Sequence, residues 1–280
     1  MSRALVVIGS AKGSPGATTL ALGLAACWPT SARRPRPLVV EADPSGGDVA
    51  ARFELSDSPG LMELAAAARR AVSNRVLGEC VQLLPGGVHV VVGPTGAQQA
   101  AAAVGLFAGN GAGLLRAGMG SDGSVLVDVG RLQAETSALV AAADRLLLVT
   151  RGEVDALAHA AAQVAQVAQL SMAEGRVELV LVGPSPYPVA EIRKTLGVHW
   201  VHRVPWDPRT ARCLAGRAAA SPRRWRTAPL VRTVTDLAWH LEALVAQNSE
   251  AAGRDLTECT ATIAVPGQAV GRALEGGEVR

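Results

Sequence analysis

Ala11-Lys12-Gly13-Ser14-Pro15-Gly16-Ala17-Thr18-Thr19 follows a short apolar run, Ala4-Leu5-Val6-Val7-Ile8, and opens an Ala/Leu-rich segment from Leu20 to Trp28. An apolar run of strand length, a glycine-containing turn and a helical stretch make a strand–loop–helix unit. Gly13 and Gly16 let the backbone curl with its N–H groups inward, and the helix N-terminus adds partial positive charge at the same place. That arrangement suits a phosphate group. Thr18 stands where phosphate-binding loops set a hydroxyl on Mg²⁺.

Against the pattern G-x-x-x-x-G-K-[ST], the stretch departs twice: Ala11 replaces the first glycine, and Ala17 replaces the lysine that reaches the β- and γ-phosphates. One unit charge about 4 Å from a phosphate oxygen, at an effective dielectric near 20, is worth roughly 4 kcal/mol, about a thousandfold in affinity. Backbone amides, Mg²⁺ and Lys12 remain to hold a nucleotide more weakly. Hydrolysis, which depends on neutralising moving charge, suffers more.

Outward from the loop, apolar runs of strand length alternate with helical segments. Strands are expected at Leu38–Ala42, Val88–Val92, Ser124–Gly130, Leu146–Thr150, Val177–Val182 and Val198–Val204. Helices are expected at Pro59–Val72, Ala97–Phe107 and Val154–Met172. The glycine-dense stretch Gly105–Gly123 reads as mobile or short-helical, and Asp48 as a helix cap. Apolar residues at helical spacing from Leu230 to Val245 read as a packing face.

Strands buried on both faces and separated by helices predict a doubly wound α/β fold, a mostly parallel sheet with helices on both faces. Ligands in such folds bind beyond the carboxyl ends of the strands. The loop, Asp43, Asp128 and Thr150 all fall at such ends and are expected to converge. Residues 1–247 then form one nucleotide-binding domain. After Asn248 the periodicity lapses, and 248–280 reads as a disordered tail.

The 280 residues are 49 % apolar and 18 % charged, enough for one large core, and with 3 % aromatics that core must be built from Ala, Leu and Val. Of 27 basic residues only Lys12 and Lys194 are lysines. A net charge of +3 does not by itself imply nucleic acid. Cys27, Cys80, Cys213 and Cys259 are scattered without a C-x-x-C pair, which suits reduced core residues and a cytoplasmic protein. The five histidines form no ligand-spaced cluster, so metal or catalytic roles are not expected of them.

From Arg3 to Gln247 the chain resembles the MinD/ParA family of ATPases, whose deviant loop K-G-G-x-G-K-[ST]-[ST] carries an extra leading lysine, matched here by Lys12. The Gly16-Ala17-Thr18-Thr19 ending looks most like the CpaE/TadZ pilus-positioning branch. Glu41-Ala42-Asp43-Pro44-Ser45-Gly46-Gly47 resembles the family's D-x-D-P-x-G-[GN] stretch, and Val127-Asp128-Val129-Gly130 its Walker B segment. The resemblance implies phosphate contacts from Lys12, Gly13, Ser14, Gly16, Ala17, Thr18 and Thr19, and Mg²⁺ held by Thr18 and Asp128. It also implies a water oriented by Asp43, and Lys12 acting across a dimer interface. Val204-Pro205-Trp206-Asp207-Pro208 resembles the segment that closes over the base, giving Pro205 and Trp206 that role. The asparagine that reads adenine near Gly183 is absent.

The family likeness implies an ATP- and Mg²⁺-dependent dimerising switch that positions a pilus or secretion apparatus, or DNA, with weak or absent turnover. Arginine is dense from Arg203 to Arg232, against one acid, Asp207. ParA relatives hold non-specific DNA through basic residues near the C-terminus, and an acidic membrane surface would serve the same charges. Two other readings stay open: a scaffold of this fold that binds no nucleotide, and a DNA-binding partition partner acting through the arginines.

Overall fold

The computed structural model describes residues 3–13, 15–31, 35–70, 75–118, 123–170, 175–219 and 221–261. Ser14, four residues of the glycine-dense stretch (119–122) and residues 262–280 of the expected tail lie outside the described residues.

The strands are β1 (Ala4–Ser10), β2 (Leu38–Glu41), β3 (Gln82–Leu84), β4 (Val88–Val91), β5 (Ser124–Arg131), β6 (Arg145–Arg151), β7 (Val177–Val182) and β8 (Trp200–Val204). The first helices are α1 (Ala17–Cys27), α2 (Val49–Phe53), α3 (Leu61–Arg69), α4 (Arg75–Glu79), α5 (Ala97–Ala117) and α6 (Ser137–Ala141). They are followed by α7 (Val154–Ala168), α8 (Val189–Leu196), α9 (Pro208–Leu214), α10 (Pro222–Thr227) and α11 (Pro229–Ala261). One sheet joins all eight strands in the order β3-β4-β2-β5-β1-β6-β7-β8, parallel throughout except for the antiparallel β3–β4 edge. It is the doubly wound, mostly parallel sheet that the alternation predicts.

Alternation along the central strands fills two cores. Leu5, Val7, Val125, Val127, Leu146 and Leu148 face one side, packed with α3, α5, α7 and α8. Val6, Ile8, Leu126, Leu147, Val149 and Val180 face the other, packed with α1 and α11. Leu230, Val234, Leu237 and Leu241 of α11 are buried there, so the stripe is a packing face as read.

The glycine-dense stretch differs from expectation: α5 runs unbroken to Ala117. Phe107, Leu114 and Leu115 are buried against the sheet face, and this packing outweighs glycine's poor helix propensity. Gly105, Gly109 and Gly113 face open space on the outer side. The last helix also continues past Asn248 to Ala261. Its final residues include Ala251, Ala252, Leu256 and Ala261 and no proline, a composition compatible with helix.

Candidate functional site at the carboxyl end of the sheet

β1 hands over to the loop at Ser10. Its hydroxyl lies 3.1 Å from the Gly130 carbonyl oxygen and 3.4 Å from that of Gly13, so one buried proton ties the loop to the end of β5. Gly13 (φ +69°) and Gly16 (φ +104°) take left-handed conformations that side chains disfavour. Gly16 caps α1 without any side-chain hydrogen bond, and the first intrahelical bond runs from Leu20 N–H to Gly16 O at 2.8 Å. The N–H groups of Ala17, Thr18 and Thr19 therefore open toward the loop, with no capping side chain among the described residues. Ala17 is buried in the α1-side core.

Three carboxylates gather where β2 and β5 end, Asp128 among them, with the Thr18 hydroxyl of α1 acting on it. Glu41 and Asp128 stand opposite each other in the β2–β5 register. Both Glu41 oxygens are filled: Oε1 accepts from Asp48 N–H (2.7 Å) and Val49 N–H (3.0 Å), and Oε2 from Gly93 N–H (3.0 Å). Glu41, not Asp48, thus caps α2. The Asp48 carboxylate turns instead to Arg52. Burial raises the Glu41 pKa, while its three N–H partners pull it down.

Asp128 is 1 % exposed; its Oδ1 accepts from Gly130 N–H at 3.0 Å, and its Oδ2 is buried with no hydrogen-bond partner among the described residues. Burial pushes this carboxyl up to about 7; the Thr18 hydroxyl and Gly130 N–H pull against that, and the Glu41 and Asp43 charges add to it. Among the described residues none of the three carboxylates is ion-paired.

Asp43 Oδ1 accepts from Ser45 N–H at 2.7 Å, an Asx turn. Burial raises its pKa, and its bonds to Ser45 lower it. Its other oxygen lies against Gly130, where a Cβ would sit 1.9 Å from Oδ2 and where φ is +58°. Only glycine at 130 leaves room for Asp43, so the loop after β2 and the loop after β5 are fitted to each other. The sequence places a glycine at 130 but gives no hint of this contact.

The loop also borders a cleft of about 300 Å³, lined by Pro15, Gly16, Thr19, Pro205, Trp206 and Arg212 among others. Trp206 is 60 % exposed, with the Arg151 guanidinium 5.4 Å from its ring centre. Asp207 caps α9, accepting from Thr210 N–H (3.0 Å) and Thr210 Oγ1 (2.6 Å), which fixes the turn presenting Trp206. Pro205 and Trp206 are thus brought to the loop, as the order of motifs suggests.

Two expected members lie elsewhere. Lys12 is exposed, its Nζ 3.1 Å from His159 Nε2 on α7. Thr150 sits at the same end of the sheet but donates to Ala156 O at 3.2 Å at the start of α7. Arg203, Arg209, Arg212, Arg217, Arg223, Arg224, Arg226 and Arg232 are all exposed, and none of them is ion-paired among the described residues. No described helix is long and apolar enough to cross a membrane. The histidines hold a surprise: His202 and His240, far apart in sequence, meet on Glu178 at the opposite end of β7.

No protein-family model matches the sequence, and no curated protein resembles it in sequence. Solved structures do resemble it in fold. A ParA family ATPase from Chlorobium tepidum is 19 % identical, with 86 % of this chain and 99 % of that one covered at a TM-score of 0.67. The septum site-determining protein MinD of Pyrococcus horikoshii, solved with Mg-ADP, is 14 % identical over 87 % of this chain and 97 % of that one, at 0.61. A Cyanothece McdA variant bound to ATP is 17 % identical over 85 % and 96 %, at 0.63. The fold is that of MinD/ParA-like P-loop NTPases.

Proposed function

We propose that this chain binds ATP with Mg²⁺ at the carboxyl end of its sheet and works as a nucleotide-dependent dimerising switch that positions a cargo, with slow or absent hydrolysis. The observation that carries this reading is Asp128 Oδ2, buried and without a hydrogen-bond partner among the described residues, beside the start of α1 at Gly16. A buried carboxylate oxygen left without a donor is costly, and a hydrated divalent cation supplies what it lacks.

The chain's own groups take separate tasks. The N–H groups of Ala17, Thr18 and Thr19, with the left-handed turns at Gly13 and Gly16, hold phosphate oxygens; Ser14 belongs to the same loop. Asp128 and the Thr18 hydroxyl hold Mg²⁺, which when bound neutralises phosphate charge. Asp43, fixed by Ser45 and Gly130, orients a water by accepting its proton in a hydrogen bond. Pro205 and Trp206 cover the base. Lys12, exposed at the outer edge of the loop, reaches a second copy's phosphates rather than its own. With Ala17 in the lysine's place, charge neutralisation during transfer is incomplete and turnover is slow.

The Gly16-Ala17-Thr18-Thr19 ending favours pilus or secretion apparatus as cargo, in the manner of the CpaE/TadZ branch. The exposed arginines from Arg203 to Arg232 give a surface for DNA or an acidic membrane. Titration of the full chain with a fluorescent ATP analogue, with and without Mg²⁺, tests the reading. Saturable, Mg²⁺-dependent binding is expected, together with a shift to dimer in sedimentation. A flat titration would leave the scaffold that binds no nucleotide.

A further inference from the structure

A second constellation lies away from the nucleotide end. Glu178 is the second residue of β7, four residues and roughly 13 Å along the strand from Val182, which lines the cleft. It shares the sheet face of Val180, under α11. Its side chain is fully buried. Oε2 lies 2.7 Å from His202 Nε2 on β8 and 3.1 Å from His240 Nε2 on α11. Oε1 faces the other way, 3.5 Å from Arg145 Nε, and neither of those two atoms has a hydrogen-bond partner among the described residues.

We propose that Glu178, His202 and His240 bind a first-row divalent transition-metal cation, which ties α11 to the β7–β8 edge of the sheet. The three ligand atoms lie within 4.8 Å of one another. Bonds of about 2.05 Å in a tetrahedron need ligand atoms roughly 3.4 Å apart, so small side-chain shifts complete the set. Two imidazoles and one carboxylate are borderline ligands that favour Zn²⁺, Ni²⁺ or Cu²⁺ over Mg²⁺ or Ca²⁺. Three protein ligands leave a fourth position for water.

The carboxylate divides its two oxygens: Oε1 meets the Arg145 cation, while Oε2 and both imidazoles face a common point. The positive guanidinium therefore lies behind the carboxylate, not between it and the metal. A metal takes the Nε2 lone pair of each ring, so an Nε2 that carries a hydrogen toward Glu178 gives it up on ligation, and the ring keeps its hydrogen on Nδ1. Trp200 shields the pair, stacked 6.3 Å from His202 and edge-on to His240 at 4.6 Å between ring centres.

The test uses the full chain and Zn²⁺ alone. Calorimetry is expected to give one Zn²⁺ per chain, and thermal melts a rise in Tm that EDTA reverses. His240→Gln keeps an amide to donate to Glu178 while removing a good ligand. It should weaken Zn²⁺ binding at least tenfold, the lower bound for losing even a group that merely supports a ligand. In the parent, Zn²⁺ should shift the imidazole nitrogen resonances of His202 and His240 and leave those of His89, His159 and His199 in place. This readout stands even if the variant fails to fold. No binding, unchanged affinity in the variant, or shifts confined to the other histidines would overturn the site.

Discussion

Glu41 and Asp128 sit side by side at the carboxyl ends of β2 and β5, both buried, both acidic, on the same face of the sheet. Their surroundings differ completely. Glu41 has three backbone N–H partners shared over both oxygens, and its charge is spent holding the Asp43–Asp48 loop and the start of α2. Asp128 has one N–H partner, the Thr18 hydroxyl acting on it, and an Oδ2 without a hydrogen-bond partner among the described residues, with acids rather than cations as its charged neighbours. A satisfied buried carboxylate is architecture, and an unsatisfied one is a site waiting for a ligand.

The sharpest way to break this contrast is Glu41→Ala. Three N–H groups that Glu41 now satisfies would lose their acceptor, so unfolding in urea should show a loss of about 3–5 kcal/mol. Gly130→Ala should follow, at about 2 kcal/mol from the left-handed backbone alone, with Asp43 displaced and any nucleotide turnover reduced. If the variant kept full stability and Asp43-dependent activity, the fit between the two loops would be wrong.

Asp128→Asn should behave in the opposite sense to Glu41→Ala. Its amide oxygen can still accept from Gly130, so the fold is retained, while Mg²⁺-dependent nucleotide affinity falls at least tenfold, about 1.4 kcal/mol. Its pH signature has a definite sign. Because the folded-state value is raised from 3.8 to about 7, the folded protein binds a proton between those values that the unfolded chain has released. The metal-free stability contributed by Asp128 is therefore present below about pH 4, declines as pH rises toward 7 and levels off above it. Glu41 and Asp43, also raised by burial, act in the same direction. Melts from pH 4 to 8 should show a shallower decline in Asp128→Asn than in the parent.

Much of this was legible in the chain itself, and for identifiable reasons. Continuous apolar runs ending in Glu41, Asp128 or a glycine loop place the strands and the phosphate loop without any long-range information. What the sequence hides is partnership. Glu41 looks like one more member of the acidic turn until the 93, 48 and 49 backbones are seen closing on it. Gly130 looks like part of a common ending until Asp43 is found against its Cα. The run of glycines in α5 reads as mobile or short-helical because propensity is local, whereas the packing of Phe107, Leu114 and Leu115 makes it one long helix. His202 and His240 are 38 positions apart, and only the β8–α11 contact makes them neighbours.

The smallest expected effect tests the far end of the cleft. Trp206 is too exposed to hold the fold together, so Trp206→Ala should leave stability within about 0.5 kcal/mol of the parent. Stacking on a nucleobase is worth about 1 kcal/mol at the least, so nucleotide affinity should fall about fivefold. The two positions then separate by their dependence on metal. If Asp128 holds the cation as proposed, Asp128→Asn should matter only when Mg²⁺ is present. If Trp206 meets the base as proposed, Trp206→Ala should lower affinity by the same factor with or without Mg²⁺. A Trp206 effect that vanished on chelating Mg²⁺ would mean that the ring orders the phosphate end instead, and the base would have to be sought elsewhere along the Pro205–Arg217 wall.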